Sequence, residues 1–527
     1  MFTLLCLFYR YYCTYLKQIH PINTMSNLPA NLVASLADIK GFNKQAFEQV
    51  HVFGQQVTSI RVNPAKAVGT LSPTVAVSDE MPILAAEATN GQLEDANTDV
   101  GNTPIAYRGE PVPWCPHGCY LPQRPSFTFD PLFHAGTYYV QEASSMFLWE
   151  VLRQTVGSQT DGLKVLDLCA APGGKSTLLA SYFSDGLVVA NEVIRNRAAV
   201  LAENITKWGC ANTVVTNSDP KNFAALGGYF DVMVVDAPCS GSGLFRKDAD
   251  AIAEWSEGNV LLCSQRQQRI LADAYGALKN NGVLIYSTCS YSKEEDEDIT
   301  AWVCEELGAE TVRLRIDAAW GIVEVGDDGS KAYGYRFYPY LLQGEGFFIA
   351  AFVKRGGVEA QHRVQVLQKT TKEETAAIEP FVNSREELFY FRQAENIIAV
   401  PARWKNDVAI LQKHLYLRKA GVTLGELKGR DMVPNHELAV SLLNSSNVAQ
   451  IPLSLQQAIQ YLQKKDVELS NLPRGWALAT YEGINLGWVK VLPNRINNYY
   501  PVEWRILKNT QPISLALRHK SNIFNWL

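Results

Sequence analysis

Short apolar runs alternate with longer helical patterns through the middle of this chain. Five of the runs predict buried strands, at residues 164–168, 186–190, 213–216, 230–236 and 282–287. Between them the spacing of apolar positions predicts helices, at residues 175–182, 195–208 and 260–278. Strands that alternate with helices of this length form a parallel sheet with helices on both faces. The pattern therefore predicts an α/β core with a mostly parallel, doubly wound sheet.

The regions on either side of this core have weaker patterns. Met25 begins a more typical amino terminus than Met1, so we expect the first 24 residues to be a non-native or unstructured extension. The remaining limits that we predict are an amino-terminal α+β domain at 25–150 with a polar loop at 67–104, the core at 151–355, a linker at 356–384, an α+β domain at 385–470 and a β-rich module at 471–527.

The first predicted core strand runs directly into a glycine-rich loop. The loop consists of Cys169, Ala170, Ala171, Pro172, Gly173, Gly174 and Lys175. Glycines let the backbone turn tightly and approach a ligand, and the helix that follows directs its amino end at the loop. A phosphate-binding P-loop would need a glycine at the position of Cys169, and the dinucleotide fingerprint G-x-G-x-x-G is not present. The loop therefore predicts a nucleotide cofactor that is bound by neither of these two motifs.

Acidic residues follow the next two predicted strands. Glu192 lies about twenty positions past the loop, where a carboxylate can accept hydrogen bonds from a ribose diol. Asp219 follows the third strand, at the edge where an adenine amino group could be met. A glutamate at such a place can also be a helix cap or a solvated side chain. Ligands of parallel sheets bind at the carboxyl ends of the strands, where both residues lie.

Two cysteines occupy corresponding positions after the last two core strands. Cys239 ends the string that begins at Asp236, and Cys289 follows the strand at 282–287. Nearby cations would favour their thiolate forms, and Arg246 and Lys293 are the candidates. The other cysteines outside the loop are expected to be small buried apolar residues. Two strand-end thiols beside a nucleotide loop predict a cofactor next to a sulfur nucleophile.

Composition changes this picture only locally. The formal net charge of the 527 residues is −5, which does not by itself favour a nucleic-acid partner. Residues 481–527 nevertheless carry a net charge of +4, from six Lys or Arg against two Glu. Aromatic residues at 499, 500 and 504 lie among these charges, which suits contact with an RNA backbone and stacking on bases. A solvated basic surface is the alternative for this segment.

Cysteine usage and hydropathy limit the cellular setting. The ten cysteines occur without a secretory signal, which predicts a reducing cytoplasm. The string Cys115-Pro-His-Gly-Cys119 lacks a second ligand pair, so we expect no metal site. No stretch reaches eighteen consecutive apolar residues, so we expect no membrane-spanning helix. We also expect the protein to be a monomer.

Three strings taken together resemble a known family. They are Cys169-Ala-Ala-Pro-Gly-Gly-Lys175, Asp236-Ala-Pro-Cys-Ser-Gly-Ser-Gly243 and Tyr286-Ser-Thr-Cys-Ser290. In this order and spacing they resemble the RNA (cytosine-5) methyltransferases of the Nop/Sun type, and within these the bacterial 16S ribosomal RNA enzymes of the RsmF type. The resemblance runs from about Asn27 to the carboxyl end, with a gap near 67–104. One departure is Tyr340, which follows Pro339 where the family usually has histidine.

The resemblance implies a fold, a reaction and site residues. It implies a Rossmann-like core that uses S-adenosyl-L-methionine, and a PUA-like RNA-binding module at 471–527. By the resemblance, Cys289 is the nucleophile that adds to carbon 6 of cytosine, Cys239 assists release, and two thiols favour RNA over DNA. The residues implied for the cofactor are Cys169 to Lys175, Glu192, Asp219 and Asp236, and Asp236 could also bind the target base.

The expected substrate is a cytosine in ribosomal RNA, most simply 16S. Two alternatives remain open at this point: a transfer RNA cytosine-5 methyltransferase, and an RNA-binding assembly factor without catalytic activity.

Overall fold

The protein is described by a computed structural model over residues 28–66, 109–326, 332–429, 431–468 and 472–508. The expected amino-terminal extension, the segment 67–104 and the basic residues Arg518 and Lys520 lie outside the described residues. Among the helices of the described ranges, none is both long and apolar enough to cross a membrane.

The secondary-structure elements follow the chain in three groups. The amino-terminal group contains α1 (Ala30–Ser35), α2 (Lys44–Phe53), β1 (Thr58–Val62), β2 (Glu110–Pro111), β3 (Gly118–Leu121), α3 (Pro131–His134), β4 (Tyr138–Tyr139) and α4 (Leu148–Thr155). The core contains β5 (Lys164–Asp167), α5 (Gly174–Tyr182), β6 (Leu187–Asn191), α6 (Arg195–Trp208), β7 (Thr213–Thr216), β8 (Phe230–Asp236), α7 (Ala249–Glu254), α8 (Glu257–Tyr275), β9 (Leu278–Thr288), α9 (Glu297–Glu306), β10 (Glu310–Thr311), β11 (Val323–Val325), β12 (Gly334–Phe337) and β13 (Phe347–Val353).

The carboxyl-terminal group completes the chain. It contains α10 (Lys372–Ile378), β14 (Leu388–Gln393), β15 (Asn396–Pro401), α11 (Lys405–His414), β16 (Leu417–Ala420), β17 (Val422–Lys428), β18 (Asp431–Pro434), α12 (His436–Val440), β19 (Ala449–Pro452), α13 (Leu455–Leu462), β20 (Gly475–Tyr481), β21 (Ile484–Leu492) and β22 (Arg495–Asn498).

The main sheet confirms the predicted α/β core. Its strands lie in the order β11-β12-β13-β9-β8-β5-β6-β7-β16, with β10 paired to β13. The central strands β9, β8, β5, β6 and β7 are parallel, and these are the five strands predicted from the apolar runs. Antiparallel strands flank them on both sides, so the complete sheet is mixed.

Side chains from successive positions of the central strands enter opposite apolar layers. Leu166 and Met233 belong to the layer on one face, while Val165 and Val232 belong to the layer on the other. A parallel strand that is covered on both faces needs apolar residues at every position. This explains why the strands occur in the sequence as continuous apolar runs.

One edge of the main sheet is completed from far along the chain. Strand β16 lies within the predicted 385–470 domain, yet it pairs antiparallel with β7, with Leu417 opposite Thr216 and Ala420 opposite Val214. A salt bridge from Lys419 on β16 to Glu437 holds the strand from its other side. The domain limits remain a prediction, and the segment 385–470 is structurally continuous with the core.

The last sheet forms a small carboxyl-terminal module. Its order is β19-β20-β21-β22, with β19 parallel to β20, so the sheet begins at Ala449 rather than at residue 471. Tyr500, expected to be available for stacking on bases, is buried and packs against Tyr461 and His436. Tyr499 remains partly exposed and contacts Trp476. The aromatic ring of Tyr500 belongs to the hydrophobic core of this small module, and for that reason it is buried and not available for stacking on bases.

Candidate active site

The strand order reverses beside β5, and the predicted site residues collect there. The chain passes from β5 to β6 and β7 on one side, then returns to β8 and β9 on the other. Asp167 and Asp236 end the two adjacent strands at this switch point. Crevices at such points are where open α/β sheets bind ligands.

The glycine loop between β5 and α5 is held by hydrogen bonds to its backbone, one from the main chain of β6 and two from side chains of α6. Gly173 adopts a left-handed conformation with φ 115°, which a side chain would strain. The Ala170 amide donates to the Asn191 carbonyl at 2.8 Å, while Arg197 and Asn204 on α6 donate to the carbonyls of Ala171 and Pro172, each at 2.8 Å. The loop therefore has one fixed shape, set by β6 and α6.

Asp167 provides a test of whether this loop fits a nucleoside cofactor. Its side chain is fully buried, and one carboxyl oxygen accepts from the Ser176 hydroxyl at 2.6 Å. The other oxygen has no hydrogen-bond partner among the described residues, and burial raises the pKa of Asp167 to about 7. A buried acceptor without a donor is costly, so a ligand that brings an amino or hydroxyl group fits this position. Asp167 was not among the predicted site residues, although its place at a strand end was a usable signal.

The two acidic residues predicted to hold the nucleoside lie in different surroundings. Glu192 is buried, accepts from the Ile194 amide at 2.9 Å and lies 3.5 Å from the Arg197 guanidinium. Asp219 is exposed and accepts from the Lys221 amide at 3.1 Å, which caps the turn that follows it. Glu192 follows β6 and Asp219 follows β7, and both strands lie on the same side of β5 in the sheet.

The two predicted thiols are in direct contact. Cys239 and Cys289 follow the adjacent parallel strands β8 and β9, and their sulfur atoms are 3.1 Å apart. Asp236 links the glycine loop to strand β9, because its carboxylate pairs with Lys175 at 2.8 Å and accepts from the Ser287 hydroxyl at 2.8 Å. Three separately predicted strings therefore meet at one place.

The contact with Cys289 affects the protonation of Cys239. The hydrogen bond with Cys289, together with burial, raises the pKa of Cys239 well above its ordinary value. Cys239 consequently remains a neutral thiol at physiological pH and can donate its proton toward the Cys289 sulfur. Burial also raises the pKa of Cys169, so the contribution of that residue to the loop comes from its backbone.

Glu295 ties the two thiol-bearing loops together, and the sequence reasoning missed it. Its buried carboxylate accepts from the Ser240 amide at 2.8 Å and from the Ser290 hydroxyl at 2.7 Å. Gln267 of α8 adds a third donor at 3.1 Å. Burial raises the pKa of Glu295, whereas these donors oppose that shift. Within the sequence, Glu295 was one member of the acidic run at 294–298, and nothing distinguished it from the other members of that run.

A buried ion pair supports the segment after Cys289. Asp296 accepts from the Thr288 hydroxyl at 2.6 Å and pairs with Arg336 at 3.2 Å. Arg336 also donates to the Tyr291 carbonyl at 2.9 Å. Because Arg336 comes from β12, the segment after Cys289 is fixed by a strand beyond the predicted parallel set.

The cations expected to favour thiolates have other partners. Arg246 pairs with the buried Glu345 at 3.4 Å, and Lys293 pairs with Asp298 on the surface. Gly243, in the string expected to approach a ligand, instead lets chain segments meet: its amide donates to the Cys289 carbonyl at 2.8 Å, and an added side chain would collide with that carbonyl. Arg246 and Lys293 therefore pair with carboxylates, and the close approach at Gly243 is to another part of the chain, whereas contact of this string with a ligand stays a prediction.

Two further predicted features are structural in these surroundings. Tyr340, at the position where the resemblance expects histidine, donates to the Gly41 carbonyl at 2.6 Å and accepts from the Asn43 amide at 3.0 Å. Cys115 and Cys119 are buried, and among the described residues they belong to no group of three or more metal-binding side chains.

Comparison with known proteins identifies the family. A family model described as 16S rRNA methyltransferase RsmB/F matches residues 155–353. The ribosomal RNA small subunit methyltransferase F of Aliivibrio fischeri strain MJ11 is 32% identical over 414 residues, which cover 75% of this chain and 85% of the relative. The chain belongs to the RsmF family of ribosomal RNA methyltransferases. The corresponding protein of Shewanella loihica is 30% identical and covers 74% of this chain and 83% of its own length.

Two further RsmF models match the flanking regions. The RsmF PUA domain matches residues 448–506, in agreement with the sheet that begins at Ala449. The RsmF amino-terminal domain matches residues 88–143, so the family match extends into the segment 67–104, where we expected a gap. Among solved structures, a methyltransferase homolog from Pyrococcus horikoshii aligns at 25% identity and TM-score 0.43, covering 62% of this chain and all of that one.

Family membership confirms three predictions. The chain is a methyltransferase of the RsmF family, its core is the Rossmann-like fold of such enzymes, and its cofactor is S-adenosyl-L-methionine. The roles of individual site residues remain predictions.

Proposed function

We propose that this protein methylates carbon 5 of a cytosine in 16S ribosomal RNA, with Cys289 as the nucleophile. The observation that carries the proposal is the 3.1 Å contact of the Cys289 and Cys239 sulfur atoms, beside the Asp236–Lys175 ion pair. This reaction needs a sulfur nucleophile, a second thiol and a bound cofactor. The candidate groups for all three lie at the carboxyl ends of neighbouring strands.

The reaction needs a nucleophile because carbon 5 of cytosine is unreactive. The Cys289 thiolate adds to carbon 6, forming a carbon–sulfur bond and displacing the electron pair of the 5,6 double bond onto carbon 5. Carbon 5 then has the nucleophilic character that methylation requires. After methylation, a base removes the proton from carbon 5 and the Cys289 sulfur departs, which restores the double bond.

Cys239 assists the release step of this reaction, and Asp236 assists binding of the base. Because Cys239 remains protonated, its thiol donates to the departing Cys289 sulfur and stabilises the free enzyme. The Asp236 carboxylate is half-exposed, so it can contact the amino group or the protonated ring nitrogen of the base while Lys175 holds its other side.

When bound, S-adenosyl-L-methionine supplies an activated methyl group. The residues that would hold it are the backbone of Cys169 to Lys175, Glu192 at the ribose hydroxyls and Asp219 at the adenine amine, with Asp236 at the border of the target base. The unpaired oxygen of Asp167 lies at the same place and adds an acceptor.

The target cytosine must leave its stack to reach Cys289. That step costs a few kcal/mol in a duplex and least in a loop, so an unpaired or weakly paired cytosine is the substrate. The PUA domain at 448–506 suits a structured RNA, and RNA contact by this domain forms part of the proposal. We also propose that the protein acts in the cytoplasm and that it needs no bound metal.

Bisulfite sequencing of total RNA tests the proposal directly. We expect a strain without the gene to lose one 16S 5-methylcytosine, which returns with the wild-type gene and does not return with Cys289→Ala. Loss confined to transfer RNA would keep the chemistry and overturn the substrate. An unchanged profile would favour a non-catalytic assembly factor.

The role of Cys239 has its own test. If it assists release, Cys239→Ala incubated with target RNA and cofactor accumulates a covalent protein–RNA species that survives denaturing electrophoresis. Cys239→Ala combined with Cys289→Ala forms none. Turnover by the single variant at the wild-type rate, without an adduct, would contradict the assignment.

A further inference from the structure

Arg61 is a buried cation whose guanidinium contacts the junction of the glycine loop and α5. It lies on β1 of the amino-terminal group and its side chain is fully buried. Its guanidinium donates to the Gly174 carbonyl at 3.2 Å and to the Thr177 hydroxyl at 2.5 Å, both in the first turn of α5. Arg61 therefore crosses from another layer of the molecule to the junction of loop and helix.

The charge of Arg61 is not neutralised by the protein. Among the described residues no carboxylate pairs with it, and its Nε donates to the neutral amide oxygen of Gln141 at 2.8 Å. The guanidinium also lies over the Trp208 ring, 4.6 Å from its centre. Burial lowers the pKa of Arg61 to about 10, so the group remains a cation at neutral pH.

A buried cation without a counter-ion is unfavourable, and a nearby anion relieves it. The amino end of α5 faces the same region and adds its own partial positive charge. Lys175 does not supply a competing free cation, because Asp236 already neutralises it. Arg61 and the amino end of α5 consequently both bring positive charge to the junction of loop and helix.

We propose that Arg61 is a positioning residue for the cofactor, fixing the junction of loop and helix and favouring the carboxylate of the cofactor's amino-acid part. The inference rests on the proposed placement of the cofactor at residues 169–175. It assigns a function in cofactor selection to the amino-terminal group, in addition to any contact with RNA.

Gln141 allows the charge to be tested without removing Arg61. Gln141→Glu keeps the acceptor for Nε and places a carboxylate against the guanidinium. Gln457→Glu is the matched control, since it adds the same charge in the capping box of α13, away from the loop. The Arg61→Gln variant removes the charge itself.

The measurement is calorimetric titration of the full-length protein with two ligands. S-adenosylhomocysteine carries the amino-acid carboxylate, and 5′-methylthioadenosine lacks it. We expect Gln141→Glu and Arg61→Gln to weaken S-adenosylhomocysteine about tenfold, the effect of one partly buried charge, and 5′-methylthioadenosine less than twofold. Gln457→Glu should change neither ligand.

Three outcomes are distinct. Equal loss of both ligands, or no loss of S-adenosylhomocysteine, in folded Gln141→Glu overturns the inference even if Arg61→Gln fails to fold. Binding of neither ligand by the wild-type protein overturns the proposed cofactor site instead. Selective loss of S-adenosylhomocysteine supports the inference, and unfolding monitored by circular dichroism verifies that each variant is native.

Discussion

The two halves of the candidate site are built in different ways. The proposed cofactor edge consists of Asp167, the loop 169–175, Glu192 and Asp219, and separate hydrogen bonds from β6 and from side chains of α6 hold the backbone of the loop. The thiol edge consists of Cys239 and Cys289, and buried charged side chains from distant segments hold it.

This difference has an energetic consequence. A loop whose backbone is held by several separate hydrogen bonds tolerates the loss of one donor, because the other bonds remain. A buried carboxylate that satisfies several donors does not, because its loss leaves each donor desolvated and unpaired. The thiol edge should therefore respond more strongly to supporting substitutions than the cofactor edge does.

The largest expected effect comes from a substitution that should abolish methyl transfer at the thiol edge and leave cofactor affinity unchanged. Cys289→Ala should lower methyl transfer to RNA by about 10⁴-fold or more, since no other group supplies the nucleophile. The affinity for S-adenosylhomocysteine should stay within twofold, as measured by calorimetry. Cys304→Ala, a half-buried cysteine on α9, is the matched control and should keep both properties. Comparable activity of the two variants would remove Cys289 from the mechanism.

The next effect tests the support of the thiol edge. Glu295→Gln places an amide nitrogen against the donors of Ser240, Ser290 and Gln267 and should lower the free energy of unfolding by about 3 kcal/mol. Urea denaturation measures this change. The exposed Glu305→Gln should stay within about 0.5 kcal/mol. A Glu295→Gln midpoint equal to that of Glu305→Gln would show that the network contributes nothing to stability.

A smaller effect is expected at the cofactor edge. Glu192→Gln keeps the size of the side chain but removes a charged acceptor, so affinity for S-adenosylhomocysteine should fall about tenfold, or about 1.4 kcal/mol. Glu203→Gln on the same α6 is the control, because Glu203 pairs with Lys207 away from the loop. The reactivity of the cysteines toward a thiol reagent should be unchanged in both variants. Unaltered affinity would exclude Glu192 from cofactor binding.

The smallest effect is a pH dependence from Asp167. Burial raises its pKa in the folded protein to about 7, above the ordinary 3.8, so the folded state holds a proton that the unfolded state releases between these values. This group's contribution to stability is therefore present below about pH 4 and is lost as pH rises toward 7. Between pH 6 and 7, stability of the wild type should fall by about 1 kcal/mol relative to Asp167→Asn. Parallel profiles of the two proteins would contradict the raised pKa.

The comparison also shows what the sequence could predict. The loop, Glu192 and the two thiols were found because each follows a local apolar run that ends at the same side of the sheet. Arg336 and Glu345 were not found, because each acts on a partner about forty or more positions away and only the folded chain brings them together. The meaning of Arg246 was misjudged for the same reason, since its closest charged partner is Glu345.

The pattern of apolar positions predicted the central strands of the main sheet correctly but did not predict its edge strand β16. Continuous apolar runs located all five central strands, because each is covered on both faces. Strand β16 was missed because two of the four residues in Leu417–Ala420 are cations, so the sequence shows no continuous apolar run there.

The pairing of β16 with β7 constrains how the protein is made. On a translating ribosome, Thr213–Thr216 emerges about two hundred residues before Leu417–Ala420, a delay of roughly 10–40 s at ordinary elongation rates. During that interval the nascent catalytic sheet has an open edge at β7, which is the kind of edge that recruits foreign strands. The carboxyl-terminal region thus acts as a late-arriving cover for the nascent sheet, and chains terminated before residue 417 would leave synthesis with their sheet still open.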